Sequence, residues 1–169
     1  LKGQVQASRG LSLAAMGLLL FGALVRIVGF LQNASLSGDE AMLGLNVGRH
    51  SFRDLLQPLD YGQVATVPFL WAERLITMVG GISGYTLRII PLLAGIGLLW
   101  AGYRLGSELL GRVETLVALA LSATSFPLIR YSVEVKPYIL DALVAVILVW
   151  VAVRVMDRLD DDRQWIKLT

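Results

Sequence analysis

No cysteine occurs among the 169 residues. Disulfides and thiol chemistry are therefore excluded, and cysteine usage assigns no redox compartment. Histidine is almost as scarce: His50 stands alone, so no pair of imidazoles can share a metal. No glycine-rich phosphate loop and no serine nucleophile elbow can be found. Charged residues amount to only 17%, with a net charge of +2 spread along the chain. That distribution argues against a nucleic-acid binder. Internal repeats and low-complexity tracts are missing as well.

Apolar residues fill the place of all these. They make up 56% of the chain, and the mean hydropathy of +0.67 is far above that of a water-soluble domain. They are clustered. Leu11–Leu31 is interrupted only by Arg26, and Ile89–Tyr103, Leu116–Ile129 and Ala142–Val153 carry no charge. A bilayer core of about 30 Å takes roughly 20 helical residues, and helix satisfies its own backbone in lipid. The first run is too long for a signal peptide and lacks a small-residue cleavage site. The expectation is an all-α, polytopic transmembrane bundle with spans near 11–31, 86–105, 113–130 and 137–155. The chain starts at Leu1 rather than Met, and a new apolar segment starts at Trp165–Thr169. It reads as one N-terminal fragment of a longer protein.

Between the first two spans, residues 32–64 form a polar loop with a short helix expected at 40–50. Residues 66–79 are apolar but carry Glu73 and Arg74. Wound as a helix, they set Thr66, Glu73, Arg74 and Thr77 on one side. Val67, Trp71, Leu75, Met78 and Val79 fall on the other, with Leu70 the misfit. This is an amphipathic helix at the membrane surface or packed at its edge; a fifth span would bury two charges. Lysine and arginine placement agrees. With four spans and a cytoplasmic N-terminus, Lys2, Arg9, Arg104, Arg112, Arg154, Arg158, Arg163 and Lys167 lie inside, against Arg49, Arg53, Arg74, Arg88, Arg130 and Lys136 outside. A fifth span reverses the sign. The polar clusters then converge on the external face.

Those clusters are candidates for chemistry. Asp39 and Glu40 follow the first span in Ser37-Gly38-Asp39-Glu40-Ala41. They are helix-capping acids, or a carboxylate pair serving as general base or metal ligand. Around Arg130–Tyr138, Tyr131 and Tyr138 fit interfacial anchors, and Pro137 fits a helix start. Glu134 and Asp141 fit a merely structural turn less well. Arg88 and Arg26, near the outer ends of the first two spans, either snorkel or bind a phosphate. His50 fits a solvated loop position. Gly17, Gly22, Gly95, Gly97 and Gly102 fit close helix packing.

The sequence resembles the N-terminal part of type-C (GT-C) membrane glycosyltransferases, in particular those related to protein O-mannosyltransferases and to 4-amino-arabinose transferases of lipid A. SLSGDEA, YTLRIIPLLAGI, YRLGSELLGR and RYSVEVKPYILDAL carry the resemblance, in this order over residues 11–156. The resemblance implies an inverting transferase of the cell envelope, set in the plasma (inner) membrane with its site on the periplasmic face, that takes a hexose or pentose from a polyprenyl-phosphate donor. It implies membrane-surface helices in the first external loop. Asp39 then matches the catalytic acid, with Glu40 beside it. Arg88, Glu134 and Lys136 match substrate-binding positions, and Tyr131, Asp141 and Arg26 join them as candidates. A divalent metal held by Asp39 and Glu134 is a second way to neutralise the leaving phosphate. The acceptor is a hydroxyl on a lipid, glycan or protein. Val133 replaces a frequent glutamine, and Thr66-Val67-Pro68 replaces a frequent Pro-Pro pair. A transporter or flippase for a lipid-linked or anionic substrate, with Arg26, Glu134 and Asp141 along its pathway, is the alternative from another class. The fragment alone is expected to be inactive.

Overall fold

The computed structural model describes residues 2–168, with side chains described from Ser12 to Leu159. Lys2, Arg9, Arg163 and Lys167 of the charge count lie outside the described side chains. The fold is all-α, with no strand among the described residues.

Helix α1 runs Lys2–Gln32 and contains a membrane-length stretch, Ser12–Gln32. It stops where Asn33 takes a positive φ of 42°, a conformation that asparagine tolerates better than most side chains. Helix α2, Gly38–Arg49, opens with a capping box. The Ser37 hydroxyl accepts from the Glu40 N–H, and the Glu40 carboxylate accepts from the Ser37 N–H. Asp39 and Glu40 sit in its first turn and Arg49 in its last, as the helix dipole favours.

After 3-10 turns at Asp54–Leu56 and Asp60–Gly62 comes α3, Val67–Gly80. Pro68 suits its first turn, where a missing N–H costs nothing. The two sides of α3 are placed the opposite way from those of a helix on a water-soluble protein. Glu73 and Thr77 are buried together with Phe69 and Leu70, so the misfit Leu70 is a core residue. Trp71, Leu75, Met78 and Val79 are exposed, Val79 to 92%. Arg74 reaches the end of α2 and donates to the carbonyls of Val47 and Gly48. It thereby satisfies acceptors that α2 leaves open.

A 3-10 turn at Thr86–Arg88 leads into α4, Ile89–Leu109. Together they form the second membrane-length stretch, Thr86–Leu109. The segment expected as one span near 113–130 is two helices, α5 at Arg112–Thr124 and α6 at Phe126–Tyr131. They meet at Ser125, which is extended. Pro127 explains the break: it has no N–H to bond the carbonyl four residues back, and its ring crowds that carbonyl. Helix α7, Tyr138–Leu168, contains the third membrane-length stretch, Tyr138–Leu159.

Helices α1, α4 and α5 pack together, and α7 lies along α4. Gly22 makes the three-helix contact close. A Cβ there would stand 2.7 Å from Leu99 Cδ1 and 3.1 Å from the Ala123 Cβ. Gly95 and Gly97 also face neighbouring helices or turns, whereas Gly17 and Gly102 face open space. The chain returns to one end of the bundle three times: at the α1–α2 junction, at the start of α4 and at the α6–α7 junction. Under that end lies an apolar core built from Leu43, Val47, Leu55, Phe69, Leu70, Leu87 and Val135.

Candidate functional site

Glu40 is the hub of that end. Its side chain is buried, held inward by the register of α2. One carboxylate oxygen accepts from the Val135 N–H at 2.8 Å, and the other from the Ser37 N–H at 2.9 Å. Arg88 Nη2 stands 3.5 Å from Glu40 Oε1. Burial pushes the Glu40 carboxyl up, but the bonds from Ser37 and Val135 and the Arg88 guanidinium outweigh it. They hold the carboxyl below its ordinary value.

Arg88 is itself buried and carries the contact to α1. Its Nη1 donates to Asn33 Oδ1 at 3.1 Å and to the Ala34 carbonyl at 2.7 Å. Its Nε has no protein partner. The end of α1, the start of α2 and the start of α4 are thus tied to the turn before α7.

Asp39 is the neighbour of Glu40 and has the opposite environment. Its side chain is 68% exposed and pairs with Lys136 Nζ at 3.3 Å. Glu134 is bound to Arg130, one helical turn earlier. Tyr131 packs edge-on against Tyr138, with ring centroids 5.1 Å apart. Asp141 is exposed on the first turn of α7 and accepts from Thr66 Oγ1 at 3.3 Å, which joins it to the start of α3. Arg26 is fully buried. It binds Ser132, Gly22 and Ser122, and no bond links it directly to the cluster. His50 is placed 3.4 Å from Asp60.

Asp39 and Glu134 are each engaged by a cation. Among the described residues no three His, Cys, Asp or Glu side chains converge. Hard divalent cations favour about six oxygen ligands, so the described residues do not by themselves compose a metal site.

Four partners in this arrangement are not evident from the sequence: Asn33, Thr66, Ser132 and the Val135 N–H. Asn33 leaves one trace, an asparagine just past an apolar run, where helices end. The Val135 amide leaves none, because any residue supplies one.

Membrane-length helices with no strand among the described residues, joined at one end by a network of buried and exposed ion pairs, define an integral membrane protein of all-α architecture. The chain belongs to the dolichyl-phosphate-mannose-protein mannosyltransferase family, whose sequence profile matches residues 66–169. It is therefore a membrane glycosyltransferase of the GT-C class. No curated protein and no solved structure matches the chain. The matched stretch holds Arg88, Tyr131, Glu134, Lys136 and Asp141. Arg26, Asp39 and Glu40 precede it, and the bonds to Arg88, Val135 and Lys136 join Asp39 and Glu40 to it.

Proposed function

We propose that this end of the bundle is the transfer site for a sugar carried on a polyprenyl phosphate. The acceptor is a hydroxyl on a lipid, glycan or protein, and transfer inverts the anomeric carbon. The observation that carries this reading is the split within the acid pair. Glu40 is buried and bonded on both oxygens, whereas Asp39 beside it is exposed, with Lys136 at hand.

Glu40 then holds the frame and Asp39 does the chemistry. The acceptor oxygen attacks the anomeric carbon from the face opposite the phosphate, and its proton passes to the Asp39 carboxylate. The bond from that carbon to the phosphate oxygen breaks, and the electron pair leaves on the phosphate. A lipid phosphate is a good leaving group, so it needs its charge balanced more than it needs a proton. Lys136 supplies a cation at the exposed pair, and the Arg88 guanidinium, buried behind Glu40, adds positive charge at the same end of the bundle. Each such donor is worth roughly 10²–10³ in rate.

The site faces the external side of the plasma membrane, with the N-terminus cytoplasmic. Helix α1, helix α4, the α5–α6 pair and α7 cross the bilayer, and α3 does not. At 14 residues α3 is about 21 Å long, too short to span. Arg88, which follows α3, touches Asn33, which precedes it. The exposed Trp71, Leu75 and Met78 face lipid.

The test is Asp39→Asn in the full-length protein, assayed with radiolabelled polyprenyl-phosphate mannose. Transfer falls by about 10²–10⁴, while membrane insertion and thermal stability stay at wild-type levels. Undiminished transfer would sink the assignment. A reporter fused after Gly84 reads external; a cytoplasmic signal would reverse the topology.

A further inference from the structure

We propose that Arg26, in the last third of α1 and fully buried, is a positioning residue for the acid pair. Through Ser132, seated in the space that Gly95 leaves open, it fixes the turn that presents the Val135 N–H to Glu40 and the Lys136 ammonium to Asp39. The catalytic consequence rests on the function proposed above.

A guanidinium inside a membrane span is expensive and ordinarily snorkels to the interface. Arg26 does neither that nor pair with a carboxylate. It is 0% exposed and turned inward. Nη1 donates to the Gly22 carbonyl of its own helix at 2.9 Å, and Nη2 to the Ser122 carbonyl of α5 at 3.2 Å. Nε donates to Ser132 Oγ at 3.1 Å.

Ser132 is fully buried at the end of α6 and donates in turn to the Leu128 carbonyl at 2.6 Å. Both sides of its hydroxyl are thus used. It reaches Arg26 because position 95 of α4 has no side chain. A Cβ on Gly95 would run into the Ser132 hydroxyl and stand 2.6 Å from the Ser132 Cβ and 3.3 Å from Arg26 Nε. Gly29 of α1 gives similar room to Val133, which a Cβ there would meet at 3.3 Å.

From this anchor only three residues lead to the site. The chain turns tightly about Val135, where the Lys136 N–H donates to the Glu134 carbonyl at 2.8 Å. The Val135 amide points to Glu40 and the Lys136 side chain to Asp39. So short a segment has little slack. Releasing Ser132 frees the turn on one side, and its other end enters α7 through Pro137. A three-way donor, rather than an apolar filler, thus sets where the turn stands.

The experiment uses the full-length protein in lipid nanodiscs, with Ser132→Ala, Arg26→Met and Gly95→Ala. Amide exchange resolved to residues 133–136 and kinetics with polyprenyl-phosphate mannose are read together. Val135 exchange is expected to accelerate by about tenfold or more in all three, with the interiors of α4 and α5 unchanged. A displacement of this kind lowers kcat by about 10²-fold and leaves KM for the donor unaltered. Ser132→Ala removes a single oxygen, so it remains informative where Gly95→Ala fails to fold. Unchanged Val135 exchange in Ser132→Ala overturns the proposal. Faster exchange with unaltered kcat overturns it too, because the position of the turn would then not matter to transfer. If the wild type transfers nothing from polyprenyl-phosphate mannose, mannose is not its sugar, and the exchange result alone decides whether Arg26 positions the turn.

Discussion

Glu40 in α2 and Glu73 in α3 are both buried, both glutamates, and both on helices at the same end of the bundle, yet their chemistry is opposite. Glu40 accepts two backbone N–H bonds and faces Arg88, and its carboxyl is held below the ordinary value despite burial. Neither oxygen of Glu73 has a partner, and burial pushes its carboxyl up to about 9. Near neutral pH the first is an anion and the second an acid carrying its proton. Burial alone does not set the charge of a carboxyl; the number of donors aimed at it does. The region around Glu40 is organised to keep a charge, and the region around Glu73 to do without one.

The largest effect that can break this comparison comes from Glu40→Ala, which strands Arg88 as a buried, uncompensated cation. A loss of about 3–5 kcal/mol is expected, seen as a lower melting temperature in detergent. A change below about 1 kcal/mol would mean that the Glu40 network is not what holds α2 to α4. The pH dependence has a definite sign. Because the folded pKa of Glu40 is depressed, its contribution is complete above the unfolded value near 4.5 and disappears as pH falls through the folded one.

Glu73→Met is next and works in the other direction. The folded state keeps the Glu73 proton up to about pH 9, whereas the unfolded chain releases it near 4.5. Stability is therefore full below that lower value and is lost as pH rises through 9. Replacement by methionine should flatten this slope and add on the order of 1–3 kcal/mol at pH 8. Parallel melting curves for wild type and variant from pH 5 to 9 would refute a neutral, unpartnered Glu73.

The smallest stability effect is expected at the exposed pair. Lys136→Met should cost no more than about 1 kcal/mol of stability, read from the melting temperature, since its partner Asp39 is 68% exposed. Its effect belongs in transfer, with kcat lowered by about 10²-fold. If stability fell as far as in Glu40→Ala, the division between a buried frame and an exposed pair proposed to carry the chemistry would be lost.

Much of the fold is legible in the sequence. Uninterrupted apolar runs specify the membrane-length parts of α1, α4 and α7, because their length and their scarcity of charge are one-dimensional properties. Ser37 and Glu40 mark the start of α2 by their spacing alone. Residues 112–131 are harder to read. Composition promises one span, and the extended Ser125 ahead of Pro127 divides it into two helices. The amphipathic pattern of 66–79 is visible, but a helical wheel does not reveal which side meets the protein. Only packing turned Glu73 inward and Trp71 outward.

The site follows the same division. The sequence by itself determined the membrane character, the chemical types available and the grouping of acids and bases beside apolar runs, since all of these depend on identity and spacing along the chain. Tertiary structure decided that Glu40 is locked while its neighbour Asp39 stays exposed, and that Arg26 is spent on Ser132. It also decided that a backbone amide, Val135, completes the carboxylate's shell. Those outcomes depend on which groups approach within about 3 Å from distant parts of the chain. Such proximity comes from helices packing through Gly22 and Gly95, and no local pattern encodes it.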